Sequence, residues 1–85
     1  MYKRQATRYD LVLANLFSGI LVEAAPQIAA CVKESGELWL SGILKSQEDE
    51  VVAAYRRLGM GLVRAARRGK WVMLQLAWTK RTSPR

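Results

Sequence analysis

One amide side chain, Asn15, closes an apolar run that has the composition of a buried strand. The run is YDLVLA, residues 9–14, and only Asp10 near its start is charged. In an open parallel α/β sheet, ligands bind beyond the carboxyl ends of the strands, which is where Asn15 is expected to lie. Its amide oxygen can accept a hydrogen bond from an amine, and Phe17 offers an apolar face beside it. The alternative is that Asn15 only caps a turn by bonding its own backbone.

Three other groups of residues resemble chemical sites but have simpler structural explanations. The carboxylates Glu48–Glu50 suit the start of a helix, whose dipole favours negative charge. The single cysteine, Cys31, lies on an apolar helix stripe and is predicted to be a small core residue. The G-x-G step at 59–61 comes after a predicted helix and before a strand, the reverse of the order that a dinucleotide-binding motif needs. No metal site is therefore predicted.

The elements that must position Asn15 follow from the spacing of apolar residues. The run before it is continuous enough for a strand covered on both faces. Ser18 is predicted to cap a helix from about Gly19 to Lys33, with a kink or a restart at Pro26 because proline lacks an amide hydrogen. The Ser-Gly step at 35–36 is predicted to end that helix in a turn.

The second half of the chain is predicted to hold another strand and helix and then a hairpin. Ser46 and Asp49 form a helix-start signal, and Gly59 is placed to end that helix. A short connection containing Gly69 favours an antiparallel hairpin after it. The predicted elements are a strand at 37–44, a helix to about Leu58, and strands at 62–66 and 71–78.

Four segments in this order resemble a known family. They are DLVLANLFSG, LVEAAPQIA, SGELWLSGIL and GKWVMLQL, and together they span about Tyr9 to Trp78. They resemble the carboxy-terminal half of the bacterial PrmA-type methyltransferases, which methylate large-subunit ribosomal protein eleven. Within them, ANLFS is similar to the Asn-containing fourth motif of class I S-adenosylmethionine-dependent methyltransferases. LSGILKSQEDEV is similar to the strand and helix that follow this motif.

The resemblance implies a fold, a reaction and a site. The fold is α/β, the carboxy-terminal half of a Rossmann-like class I methyltransferase sheet: strand-helix-strand-helix-strand-strand, with the last strand antiparallel. The reaction is methyl transfer from S-adenosylmethionine to lysine ε-amines and an α-amine of a ribosomal protein. Asn15 falls on the motif asparagine, so it is the expected catalytic, substrate-binding and cofactor-binding residue. Leu16 and Phe17 fall on the neighbouring substrate-binding wall.

Most of the cofactor site that the resemblance implies has no counterpart in this sequence. The glycine-rich turn after the family's first strand and the acid that ends its second strand are both absent. The chain is therefore expected to be a partial domain that is inactive alone. An unpaired apolar strand edge favours pairing with a second copy or with a separate amino-terminal half.

Basic charge is concentrated at the two ends of the chain. Residues 64–85 carry seven basic and no acidic residues, within a formal net charge of +7. The predicted organisation is a basic arm at 1–8, a partial methyltransferase domain at 9–78 and a basic tail at 79–85. Basic ends either keep a small domain soluble or attract a polyanion such as RNA. The three tryptophans are predicted to be buried, which disfavours RNA stacking platforms.

Size and hydropathy restrict the remaining choices. With 85 residues the chain forms one small domain. Its apolar runs fall short of the roughly 20 residues needed to cross a bilayer, and the basic start lacks the apolar stretch of a secretory signal. A single cysteine cannot form an internal disulfide, so a cytoplasmic location is predicted. The alternative to an enzyme is a non-catalytic basic module that contacts RNA or a partner chain.

Overall fold

The computed structural model of the chain describes residues 7–79. The predicted order of elements is confirmed, except that the first helix is split in two. The predicted basic arm at 1–8 and tail at 79–85 lie almost wholly outside the described residues. The elements are β1 (Tyr9–Asn15), α1 (Ser18–Glu23), α2 (Ala25–Ala30), β2 (Val32–Leu44), a 3-10 turn (Lys45–Gln47), α3 (Glu48–Arg56), β3 (Met60–Arg68) and β4 (Trp71–Trp78).

The four strands form one mixed sheet in the order β1-β2-β4-β3. Strand β1 pairs with β2 in parallel, while β4 is antiparallel to both β2 and β3. A parallel pair needs a crossover connection, and α1 and α2 provide it here. The predicted α/β order, strand-helix-strand-helix-strand-strand with an antiparallel last strand, is confirmed.

The helices cover one face of the sheet and bury the core there. Alternate strand residues such as Leu38, Leu40 and Leu74 point to this face and are fully buried. Tyr55 of α3 is also buried, and its hydroxyl donates a hydrogen bond to the Leu21 carbonyl of α1 at 2.9 Å. Burial raises the pKa of this tyrosine to about 12. The phenol therefore ties the two helices together as a neutral donor.

The opposite face of the sheet is left uncovered by the described residues. On β1 the side chains of Tyr9, Leu11 and Leu13 are 52%, 52% and 70% exposed. The prediction that this strand is covered on both faces is therefore wrong for residues 7–79. The reason is that α1, α2 and α3 all pack on the same side, so the apolar residues of the other side have no layer above them.

The first helix restarts near Pro26, as predicted, but it ends earlier than predicted. It stops at Glu23, resumes at Ala25 with Pro26 in its first turn, and ends at Ala30 instead of Lys33. The residues predicted to form a turn after it belong to β2. Gly36 is required there because a Cβ at this position would lie 2.9 Å from the carbonyl oxygens of both Tyr9 and Asp10. It permits a close approach of two strands.

Neither predicted side-chain cap is observed. Phe17, not Ser18, is the N-cap of α1, and the Ser18 hydroxyl instead donates to the Gln47 side-chain oxygen at 2.7 Å. Helix α3 has Gln47 as its N-cap and no side-chain cap, with a 3-10 turn before it. The serine is thus used to join the starts of α1 and α3. The predicted helix end is confirmed near Gly59, whose φ is +100°.

The hairpin prediction is confirmed, with a longer first strand than expected. Strand β3 extends to Met60–Arg68, β4 matches its prediction, and Gly69 with a φ of +60° makes the turn. The prediction of buried tryptophans is wrong for Trp71, which is 49% exposed on the uncovered face. Trp78 is half-buried, and its indole N–H donates to the Val32 carbonyl at 3.1 Å.

A carboxylate at the start of α3 is paired across to β3. Arg67 donates two hydrogen bonds to the buried side chain of Glu48, one of them at 2.9 Å from Nε. These bonds hold the pKa of Glu48 below its usual value of 4.5, against the effect of burial; the charges of Arg67 and Lys45 also lower it. The acidic run at 48–50 lies in the first helical turn, as predicted. Within residues 7–79 no acidic, His and Cys side chains group closely enough to hold a metal.

Acid is expected to weaken the fold through Glu48. Because its pKa is lower in the folded chain than in the unfolded chain, its stabilisation is present above about pH 4.5 and is lost as pH falls through the folded value. Glu48→Gln should therefore flatten the loss of Tm between neutral pH and about pH 3. Glu50→Gln is the matched control, since Glu50 is exposed and forms no ion pair with residues 7–79. Parallel Tm curves for the native chain and Glu48→Gln would contradict this expectation.

Candidate functional site

Asn15 is the last residue of β1, at the carboxyl edge of the parallel pair. It is in register with Ser41 of β2. Its side chain is exposed, and no protein group within residues 7–79 makes a hydrogen bond to it. The alternative that Asn15 caps a turn with its own side chain is therefore not supported by any hydrogen bond in this part of the chain. An exposed amide at this edge keeps its oxygen and both N–H donors free for a ligand.

Gly42 makes room for the Asn15 amide. An ideal Cβ on Gly42 would lie 2.5 Å from Asn15 Oδ1, closer than two non-bonded atoms can approach. The φ of Gly42 is +81°, a conformation that only glycine adopts without strain. The pairing of β2 with β4 is irregular between Leu40 and Ile43, around this glycine. The bulge therefore sets the backbone of β2 beneath the amide and leaves room for the amide oxygen.

Leu16 and Phe17 follow Asn15 on the connection to α1. Leu16 is 40% exposed and Phe17 is 78% exposed, so both present apolar surface to solvent beside the amide. The Phe17 carbonyl accepts hydrogen bonds from the N–H groups of Ile20 and Leu21, both at 3.0 Å. This anchors the backbone of Phe17 to the first turn of α1. We call Asn15, Leu16 and Phe17 the acceptor rim: one hydrogen-bonding amide with an apolar wall.

Two features of a nucleotide-like cofactor site are absent from the described residues. Strands β1 and β2 end on Asn15 and Leu44, so neither parallel strand in this part of the chain ends on a carboxylate that could hold a ribose. Gly59 follows α3 and Gly61 lies within β3, which confirms that the G-x-G step is not a strand-to-helix turn. Residues 7–79 therefore contain neither the glycine-rich turn nor the strand-ending acid that the resemblance implies for the cofactor site.

The structure brings Asn15, Leu16 and Phe17 together where β1 ends, and it adds a glycine that the sequence reasoning missed, Gly42. Gly42 lies within the apolar segment ELWLSGIL, residues 37–44, whose composition predicts one strand. A Ser-Gly step inside such a segment is a recognised signal of a bulge or of a close backbone approach. The Ser-Gly step was sufficient to predict a bulge. It could not indicate which side chain lies in the space over the glycine.

Comparisons with known proteins agree on one family. Residues 2–79 match the sequence model of the family described as Ribosomal protein L11 methyltransferase (PrmA). The Ribosomal protein L11 methyltransferase of Myxococcus xanthus is 44% identical over 68 residues, covering 80% of this chain and 23% of that protein. The protein of the same name from Chromohalobacter salexigens is 46% identical over 67 residues, covering 79% of this chain and 22% of that protein.

Solved structures give the same result at the level of the fold. A crystal structure of ribosomal protein L11 methylase from Lactobacillus delbrueckii subsp. bulgaricus superposes with a TM-score of 0.80 at 26% identity, covering 85% of this chain and 38% of that one. A crystal structure of M1.HpyAVI superposes with a TM-score of 0.70 at 11% identity, covering 87% and 45%, and shows likeness of fold alone. The chain spans less than a quarter of the two curated relatives. It belongs to the ribosomal protein L11 methyltransferase (PrmA) family.

Proposed function

We propose that this chain provides the amine-acceptor half of an S-adenosylmethionine-dependent protein methyltransferase, with a lysine ε-amine or an α-amine of a ribosomal protein as substrate. Family membership supports the reaction class and implies the cofactor. The observation that carries the proposal is the free amide of Asn15 at the carboxyl edge of the sheet, held over Gly42. Residues 9–78 are the proposed domain, and a cytoplasmic location suits a ribosomal substrate.

The acceptor rim can orient an amine without removing a proton from it. The amide oxygen of Asn15 accepts one N–H of a neutral amine, which fixes the direction of the nitrogen lone pair. The amide carries no charge, so it does not favour the protonated ammonium form as a carboxylate does. Leu16 and Phe17 place apolar surface against the alkyl stem of a lysine and restrict water there. Asn15 is thus a binding and orienting residue, and we assign it the catalytic role on this ground.

The chain is proposed to be inactive alone because it holds one side of the site only. The free edge of β1 and the part of the uncovered face beside it are the surfaces through which a separate amino-terminal half, or a second copy of this chain, can join it, at the opposite edge of the sheet from the β3–β4 hairpin. Tyr9, Leu11 and Leu13 share that face and that edge. Their apolar surface gives the association its driving force.

Reconstitution tests this proposal. The chain is mixed with the amino-terminal part of the Myxococcus xanthus relative, cut where the match to this chain begins, together with ribosomal protein L11 and methyl-labelled S-adenosylmethionine. We expect no labelling with either part alone and labelling of L11 when both are present, with a heterodimer seen by mass. Leu13→Lys should abolish the heterodimer and the labelling together, because it buries a charge at the interface between the two parts. Labelling by the chain alone, or a stable heterodimer that transfers no label, would refute the proposal.

A further inference from the structure

The tip of the β3–β4 hairpin carries a cluster of cations around an exposed tryptophan. Arg68 and Trp71 are direct cross-strand partners, joined by the turn at Gly69. The N–H of Lys45 donates to the Lys70 carbonyl at 2.8 Å, which ties the segment before α3 to the hairpin tip. We call Lys45, Arg68, Lys70 and Trp71 the hairpin patch. All four are exposed.

The cations of the hairpin patch are not neutralised by the part of the chain between residues 7 and 79. The two ion pairs found there join Lys33 to Asp10 and Arg67 to Glu48. Arg67, between Ala66 and Arg68, therefore already pairs with a carboxylate of α3 on the helix side of the sheet. From residue 64 onward the sequence contains no acid. The patch is a concentration of positive charge that favours a polyanion.

Trp71 differs from the other two tryptophans in what surrounds it. The indole N–H of Trp39 donates to Glu37 at 2.8 Å, and that of Trp78 donates to the Val32 carbonyl. The indole of Trp71 makes no hydrogen bond to the described residues, and 49% of its surface is exposed. A shallow groove lies beside it on the uncovered face. The residues that line this groove include Ser41, Gly42, Ala66, Arg68 and Met73.

We propose that the hairpin patch binds single-stranded RNA. A flat aromatic face beside cations is the combination that such ligands require, because bases stack on the ring while Lys and Arg contact the phosphates. An acidic protein surface satisfies the cations but has no bases to stack on the indole. The site is formed by β3, β4 and the start of the 3-10 turn, and it does not depend on methyl transfer.

Fluorescence anisotropy of a labelled single-stranded RNA of about 12 nucleotides, titrated with the full chain between about 50 and 200 mM KCl, tests this site. Arg68→Gln with Lys70→Gln should lower the salt slope of log K by about 1.4, the value for two lost phosphate contacts on a single strand. Arg56→Gln with Arg57→Gln removes the same charge from the exposed end of α3 and should lower it by less than half as much.

The stacking role of the indole is tested separately. Trp71→Ala should weaken binding about tenfold, as expected for the loss of one stacked base, and Trp71→Phe should restore most of the affinity. Circular dichroism checks that each variant is folded. If Trp71→Ala unfolds, the affinity of Trp71→Phe alone tests the stacking role. Equal losses in the two double variants, or unchanged binding by both Trp71 variants, would overturn the proposal. Poly-L-glutamate that competes with RNA at equal affinity would assign the patch to an acidic protein instead.

Discussion

Asn15→Ala is expected to reduce methyl transfer by the reconstituted enzyme about 100-fold while leaving the Tm of the chain unchanged. The large kinetic effect follows from the loss of the hydrogen bond that orients the acceptor amine, since small misplacements of reacting groups cost about this much. The Tm should not change because the side chain is exposed and makes no hydrogen bond within residues 7–79. The measurement is the initial rate of labelling of ribosomal protein L11.

Two further variants separate an orienting role from a general surface effect. Gln27→Ala removes an exposed amide from α2 and should leave the rate unchanged. Asn15→Asp keeps the shape but adds a negative charge, which stabilises the ammonium form of the substrate and raises its pKa. The pH-rate profile of this variant should therefore shift to higher pH, an effect that a purely structural role would not produce. A normal rate for Asn15→Ala would rule out the proposed role of the amide.

The strands could be predicted well because their apolar patterns are strong. The last strand matches its predicted bounds, since Trp71–Trp78 is apolar throughout and follows a Gly-containing turn. The helices were predicted less well because their ends depend on tertiary contacts. Serine is a common helix-capping residue, but the hydroxyl of Ser18 donates its hydrogen bond to Gln47, twenty-nine positions later. No local pattern indicates such a partner.

Exposure was the property that the sequence predicted least well. The pattern of β1 indicates a strand buried on both faces, and its residues do have the composition for that. The described chain contains a covering layer on one side only, because the segments that follow β1 and β2 both cross on that side. Trp71 was misjudged for the same reason. The composition of a strand therefore indicates whether its side chains are suited to burial. It does not indicate whether the described chain contains the layer that would cover them.

Gly42→Ala is expected to damage both stability and the acceptor rim. A non-glycine residue at a φ of +81° costs about 1–2 kcal/mol, which for a domain of this size lowers the Tm by about 5–10 °C. The new methyl group would also meet Asn15 Oδ1 at 2.5 Å, so the amide must turn away. Methyl transfer by the reconstituted enzyme should therefore fall nearly as far as in Asn15→Ala. Thermal unfolding and the labelling rate measure the two effects.

The two effects of Gly42→Ala can be separated by combining it with Asn15→Ala. The exposed amide can turn away from the new methyl group at little cost, so the lost Tm comes from backbone strain, and the double variant should melt close to Gly42→Ala and regain none of the activity. Gly19→Ala is the control: its added Cβ meets no atom within 4 Å, and alanine is the better helix former, so the Tm should stay level or rise. If Gly42→Ala lowers the Tm but keeps the labelling rate, the amide does not depend on the space over Gly42, and the bulge stabilises the sheet without positioning Asn15.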